Sequence, residues 1–139
     1  MSGKLFTTPQ SINIWRDNMK ILVYGTDTFD DYSTFMRGLI VAIDENVKGS
    51  DGKIEVFTAG PRKINSYTAE FINKTEGFFR QKKIRTKFRR IPRSEAIDNF
   101  ESYGFDHVLS FNNKKDPKFF DVLMDKANLL NINSSYYKY

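Results

Sequence analysis

The segment Met19–Asp31, which reads MKILVYGTDTFDD, constrains the fold of this chain more than any other. A short apolar run typical of a buried strand leads directly into glycine, and acidic residues able to cap a helix follow at Asp30 and Asp31. In Rossmann-like domains a turn of this kind presents backbone N–H groups and a helix N-terminus to a phosphate or a nucleotide. The segment therefore predicts a ligand site at the C-terminal end of the first strand.

Strand-like and helix-like segments alternate along the rest of the chain. β-rich apolar runs predict four strands, at Lys20–Tyr24, Lys53–Thr58, Ile84–Ile91 and His107–Phe111, and residues 132–139 could form a fifth strand or a tail. Because helical segments separate the strands, we expect parallel pairing with helices on both faces of the sheet. The predicted fold class is α/β: a three-layer Rossmann-like domain with a mainly parallel sheet of four or five strands. It would span residues 19–139, after an N-terminal arm at residues 1–18.

Length and composition narrow the class of protein. A length of 139 residues fits one domain, and the absence of cysteine excludes disulfides and thiolate metal sites. No apolar run approaches the roughly 18–20 residues that span a bilayer. Residues 1–18 also lack the continuous apolar stretch of a signal peptide. We therefore expect a cytoplasmic protein without a membrane partner.

The first candidate ligand site is the loop after the first strand, which comprises Gly25, Thr26, Asp27, Thr28 and Phe29. Glycine allows a tight turn and a close backbone approach, and the two threonines add hydroxyl groups. Carboxylates at Asp27 and Asp30 repel a bare anion, so ribose hydroxyls or a base amino group suit them better. The alternative interpretation is a capped turn between a strand and a helix, with no ligand.

The second candidate ligand site follows the second strand and comprises Gly60, Pro61 and Arg62. Asn65 or Ser66 is predicted to cap the helix that comes next. Arg62 and Lys63 would then lie near a helix N-terminus, where the helix dipole disfavours cations. A bound anion, or a neighbouring carboxylate such as Asp27, is expected to offset them. The alternative interpretation is a solvated basic turn.

These two loops resemble the SLOG superfamily of Rossmann-like proteins, which includes YspA-like, DprA-like and LOG-like branches. The YspA-like branch shows Gly-Ser-Arg-x-Phe-x-Asp-Tyr after its first strand, and residues 25–32 match it at Gly25, Phe29, Asp31 and Tyr32. A second motif of that branch, Gly-Gly-Ala-Arg-Gly-Ala-Asp, is similar to residues 59–65 and matches at Gly60 and Arg62. The chain departs from the pattern at Asp27, which replaces the arginine of the first motif.

The resemblance implies a nucleotide-derived ligand, held at the C-terminal ends of the first two strands, as the partner of this protein. The Pro-Gly-Gly-x-Gly-Thr-x-x-Glu loop with which LOG-like members cleave a glycosidic bond is absent from the sequence. We therefore expect a binding protein rather than an enzyme. If a reaction occurs, it would be hydrolysis of an N-glycosidic bond in a nucleotide, with Asp27 or Asp30 as nucleophile or base. A short chain rich in Lys, Asn, Ile and Phe also resembles tailed-phage proteins, whose location would be the host cytoplasm.

Positive charge is concentrated in one part of the chain. Residues 62–93 hold 11 Lys and Arg against two Glu, whereas the other 107 residues hold 11 basic and 15 acidic side chains. The densest stretch has eight basic residues in fourteen positions: Arg80, Lys82, Lys83, Arg85, Lys87, Arg89, Arg90 and Arg93. Such a strip attracts polyanions, so the alternative function is single-stranded nucleic-acid binding through residues 80–93.

The basic segment has two further interpretations. It fits a charged helix end followed by an edge strand, because Lys and Arg discourage an edge from pairing with other chains. In that case Ile84, Phe88 and Ile91 would point inward. The segment could also contact the acidic remainder of a second copy, which would make the chain a structural, oligomeric protein with a relic pocket.

Few residues suit metal binding or covalent catalysis. His107 is the only histidine, and with no cysteine in the chain a transition-metal site is disfavoured. A Gly-x-Ser-x-Gly elbow is also absent from the sequence. We predict no resident metal and no cofactor other than a nucleotide, although the Asp30–Asp31 pair could hold Mg²⁺ in a nucleotide complex.

Overall fold

A computed structural model of the chain describes residues 19–47, 52–112 and 117–138, excluding the side chains of 117–121. The predicted N-terminal arm therefore lies outside the described residues. Strands and helices alternate in the order β1 (Met19–Gly25), α1 (Tyr32–Val47), β2 (Lys53–Thr58), α2 (Arg62–Gln81), β3 (Arg85–Arg90), α3 (Arg93–Asp98), α4 (Phe100–Tyr103), β4 (His107–Asn112), α5 (Pro117–Leu129) and β5 (Asn133–Lys138).

The five strands form one sheet in the order β3-β2-β1-β4-β5, and every neighbouring pair is parallel. The chain first moves outward from β1 to β3, then returns to the far side of β1 and continues to β5. The predicted three-layer α/β Rossmann-like fold with a parallel sheet is therefore confirmed. The C-terminal residues form the fifth strand, β5, which lies at one edge of the sheet. β3 lies at the other edge, as its basic sequence predicts.

The core is divided between the two faces of the sheet, because alternate side chains of a strand point to opposite faces. Val23 belongs to the cluster under α1 and α2, with Phe35 and Phe71. Leu22 belongs to the other cluster, which includes Phe100 from α4 and Leu123 from α5. Each of these buried side chains contributes about 1.5–3 kcal/mol relative to an exposed position. Both layers of helices are thus fixed to β1, the central strand.

Among the residues that the structure describes, no helix has the length and apolar character needed to span a bilayer.

Candidate functional site

The loops that follow β1 and β2 lie side by side at the C-terminal edge of the sheet. The two strands are neighbours, with Val23 in register with Thr58, and the N–H of Ala59 donates to the carbonyl of Val23 at 3.2 Å. A cavity of about 490 Å³ lies between the first loop and the N-terminal half of α2. We call it the site cavity; its lining residues are Asp27, Pro61, Arg62, Lys63, Ser66, Tyr67 and Glu70.

The β1–α1 loop is held tightly against β4. Gly25 is buried, and a Cβ atom there would lie 2.6 Å from the carbonyl oxygen of Phe111, so no other residue fits without a shift of the backbone. The N–H of Thr26 donates to the same oxygen at 2.9 Å. The Phe29 ring is buried and stacks on the Phe111 ring, with 4.6 Å between centroids. The close approach explains the glycine in the motif.

This arrangement separates the five predicted ligand residues of the first loop. Gly25, Thr26 and Phe29 are buried, whereas Asp27 and Thr28 are exposed. Of the five, only Asp27 lines the site cavity. The first loop therefore presents a carboxylate to the cavity. The sequence pattern instead predicts that backbone N–H groups of this loop contact the ligand.

The N-terminus of α1 carries its own anion. Asp31, one of the two predicted candidates, is the cap: its carboxylate accepts hydrogen bonds from the N–H of Thr34 at 3.1 Å and from the Thr34 hydroxyl at 2.6 Å. These two hydrogen bonds hold the pKa of Asp31 below its ordinary value, and the bond from the Thr34 hydroxyl has the larger effect. Because a carboxylate of the chain already occupies this helix start, it is a poor place for a phosphate.

The N-terminus of α2 is different, because no side chain caps it. Gly60 has φ +87°, a conformation that favours glycine, and Pro61 is the extended cap residue. The first turn contains no acidic residue, and it begins with exposed Arg62 and Lys63. The prediction that Asn65 or Ser66 caps this helix is wrong, because the helix starts three residues before Asn65.

Tyr67, the aromatic residue that lines the site cavity, belongs to an aromatic cluster. The Tyr67 ring lies 5.1 Å from Tyr32, 5.6 Å from Phe35 and 6.2 Å from Phe29, measured between centroids. Burial raises the pKa of the Tyr67 phenol, and the carboxylates of Asp30, Asp31 and Glu70 raise it further. The Tyr67 ring and its acidic neighbours thus lie about one turn along α2 from the basic start of this helix.

Four cavity residues were not among the predicted ligand residues: Lys63, which was considered only as a cation beside a bound anion, Ser66, which was considered only as a cap, and Tyr67 and Glu70, which were missed. A signal for them exists, because residues four apart lie on one face of a helix. Arg62, Ser66 and Glu70 have this spacing, and so do Lys63 and Tyr67. Extending the face from Arg62 would have found them once the helix start was known.

Asp27 forms an ion pair with Arg93, the first residue of α3. Its Oδ1 lies 3.4 Å from Nη2 of Arg93, and the Arg93 Nε lies 3.7 Å from where a Cβ of Gly60 would be. Arg93 therefore passes close to the second loop to reach the first. The sequence analysis assigned Arg93 to a nucleic-acid surface and offered Asp27 as a partner for Arg62 or Lys63. In the fold, Arg93 is the cation paired with Asp27.

The remaining basic residues of the predicted nucleic-acid segment lie away from the site cavity. Arg80 is in the last turn of α2 and pairs with Glu76 at 2.7 Å. Lys82 and Lys83 form the turn that leads to β3. The others lie on β3 and are exposed: Arg85, Lys87, Arg89 and Arg90. The inward positions of this strand are partly covered, since Phe88 is half-buried and Ile91, which follows it, is buried.

The two candidate catalytic carboxylates, Asp27 and Asp30, are both exposed. Within the described ranges, no group of three or more His, Asp or Glu side chains is placed to hold a metal ion. His107 is the first residue of β4 and lies at the N-terminal end of the strands, the opposite end from the loops that follow β1 and β2. Its Nε2 is 2.9 Å from the Ser135 hydroxyl. It is therefore remote from the loops that line the site cavity.

Comparison with protein-family models, with curated proteins and with solved structures finds no match for this chain.

Proposed function

We propose that this protein binds a nucleotide-derived ligand in the site cavity. The observation that carries the proposal is that the uncapped N-terminus of α2 and the carboxylate of Asp27 border one cavity of about 490 Å³. This volume is within the range of about 300–1,000 Å³ that is usual for small-molecule sites. The resemblance to the SLOG superfamily implies the same class of ligand.

The phosphate of the ligand is expected at the start of α2. Backbone N–H groups in the first turn of a helix have no intrahelical partner, and the helix dipole favours an anion there. Arg62 and Lys63 are exposed on that turn and add positive charge to it. A bound anion would also offset the unfavourable position of these two cations at a positive helix end. Because Arg93 pairs with Asp27, the carboxylate of Asp27 repels the anion less.

The non-phosphate part of the ligand is expected against Tyr67. Its aromatic ring lines the cavity and can contact a base or a sugar face. Glu70 and Asp27 are acceptors at the same cavity, which suits ribose hydroxyls and base amino groups. Cations and acceptors that line the same cavity favour a nucleotide over inorganic phosphate.

Thermal unfolding with a panel of nucleotides tests this proposal. A ligand at about 100 times its Kd stabilises the folded state by about 2.7 kcal/mol, which for a domain of this size raises the Tm by roughly 5–10 °C. We expect such a rise for at least one nucleotide. Arg62→Ala should abolish it, whereas Arg37→Ala, an equal change of charge on exposed α1, should leave it intact.

Two results would contradict the proposal. One is a wild-type Tm that no nucleotide changes. The other is an equal loss of the nucleotide effect in Arg62→Ala and Arg37→Ala, since that would reflect net charge rather than the site cavity. Inorganic phosphate at the same concentration serves as the ligand control, and it should raise the Tm less than the nucleotide does.

We propose binding without cleavage. Asp27 is paired with Arg93 and its side chain is 80% exposed, so it lacks the dry environment in which a carboxylate nucleophile works best. Incubation of the protein with the nucleotide that raises its Tm should release no free base. Base release that disappears in Asp27→Asn or Asp30→Asn would show that the protein is a hydrolase instead.

A further inference from the structure

Alternate side chains of β3 point away from α2. Arg85, Lys87 and Arg89 share one face of this strand, since side chains two residues apart lie on the same side. The guanidinium of Arg89 lies 5.6 Å from the Phe57 ring centroid and 5.9 Å from that of Tyr103. These rings belong to the core cluster on the side of α3, α4 and α5. The three cations are therefore on the sheet face opposite α2.

Among the described residues, the helices leave this part of the sheet face open. α3 and α4 have only six and four residues, and their apolar side chains pack with Phe57 and Ala59 near the C-terminal end of β2. At the other end of β2 and β3, Lys53, Arg85 and Lys87 are exposed. We call this surface the basic sheet face; it comprises Lys53, Glu55, Arg85, Lys87 and Arg89. Four cations and one carboxylate give it a positive charge.

We propose that the basic sheet face binds the phosphate backbone of single-stranded nucleic acid. Arg85, Lys87 and Arg89 are separated by about 6.6 Å from one to the next, since a parallel strand rises about 3.3 Å per residue. A row with this spacing can follow consecutive phosphates along an extended strand. Lys and Arg that neutralise phosphates release counterions, which drives binding without reading the sequence.

An exposed aromatic ring favours a single strand over a duplex. Phe78, in the α2 end that leads to β3, is 53% exposed, and the Lys82 ammonium lies 4.7 Å from its ring centroid. Because α2 covers the opposite face of the sheet, a single strand bound to the basic sheet face reaches Phe78 only by passing around the edge strand β3. Exposed aromatic rings stack on unpaired bases, which a duplex keeps inside its helix. The Lys82 ammonium beside the ring can contact the phosphate of the same nucleotide.

Fluorescence anisotropy with a labelled oligothymidine of about 20 nucleotides tests the proposal. We expect binding at about 50 mM salt that weakens steeply as salt rises. The double variant Arg85→Gln, Lys87→Gln should reduce the slope of log affinity against log salt by about 1.4, because each phosphate contact on a single strand contributes about 0.7. The matched control is Arg37→Gln, Lys138→Gln, which removes the same charge from exposed positions on α1 and β5. It should keep the slope of the wild type.

Three results would overturn the proposal: no binding at about 50 mM salt, an equal change of slope in both double variants, or tighter binding to a duplex of the same length. Displacement of the oligonucleotide by polyglutamate at an equal concentration of charges would also overturn it, since the partner would then be an acidic protein. Phe78→Ala should lower the affinity for oligothymidine severalfold. Arg62→Ala should leave the oligonucleotide affinity unchanged, so this test and that of the site cavity can fail separately.

Discussion

The guanidinium of Arg93 lies 3.4 Å from the carboxylate of Asp27, and this ion pair joins the first residue of α3 to the β1–α1 loop, 66 residues earlier in the chain. Because the Asp27 side chain is 80% exposed, we expect a coupling of about 0.2–1 kcal/mol. A double-mutant cycle of Asp27→Asn and Arg93→Gln, measured by urea denaturation, gives this value. A parallel cycle with Asp30→Asn should give no coupling. A coupling above about 2 kcal/mol for Asp27 and Arg93 would show that water does not screen the pair.

Two glycines should respond in opposite ways to alanine. A Cβ at Gly25 would lie 2.6 Å from the Phe111 carbonyl oxygen, so Gly25→Ala should lower the free energy of unfolding by about 1–3 kcal/mol or more. A Cβ at Gly77, inside α2, meets nothing within 4 Å. Gly77→Ala should therefore stabilise the protein by about 0.5–1 kcal/mol, through the smaller freedom of the unfolded chain. Urea denaturation measures both, and effects of the same sign would contradict the packing described for β1 and β4.

A second matched pair compares two buried threonine hydroxyls. The Thr58 hydroxyl is buried without a hydrogen-bond partner among the described residues, whereas that of Thr68 donates to the Ile64 carbonyl at 2.8 Å. Thr58→Val should be neutral or stabilising by up to about 1–3 kcal/mol, because it removes the cost of burying a lone hydroxyl. Thr68→Val should destabilise by about 0.5–1.5 kcal/mol. If the Tm of Thr58→Val falls as far as that of Thr68→Val, the Thr58 hydroxyl has a partner.

His107 is expected to make stability depend on pH. Burial lowers its pKa below the ordinary value of 6.5, an effect that the carboxylate of Glu45 only partly opposes. Below about pH 6.5 the unfolded chain therefore binds a proton more readily than the folded one. The contribution of His107 to the free energy of unfolding is therefore largest above this pH. It decreases as the pH falls toward the folded pKa and stays constant below that pKa. The Tm measured from pH 8 to pH 5 should fall less in His107→Gln than in the wild type; equal profiles would show that His107 does not titrate differently on folding.

The fold class was predictable because each β-rich run carries its own signal and helical periodicity lies between the runs. Asp31 was also predictable as a cap, since the carboxylate and its Thr34 partner are three residues apart. The start of α2 was not, because Asn65 and Ser66 are typical cap residues and yet the helix begins at the turn of Gly60 and Pro61. That error hid the contribution of Tyr67 to the site cavity.

The ion pair of Arg93 could not have been predicted from local patterns. Arg93 follows a row of basic residues and has the same composition signal as they do. Its contact with Asp27 depends on the order β3-β2-β1, which places the ends of the first three strands along one edge of the sheet. Strand order results from the packing of the whole chain, and no short segment encodes it.

The two outermost strands differ in a way that limits how molecules of this protein could associate. β3 carries Arg85, Lys87, Arg89 and Arg90, whereas β5, with the sequence NSSYYK, carries one cation, Lys138. Charged side chains on an edge discourage the addition of a foreign strand, so β3 is protected and β5 is protected little. Of the two edge strands that the structure describes, β5 is thus the one more open to pairing, and pairing between two copies of β5 would join two molecules without leaving a second edge of that kind.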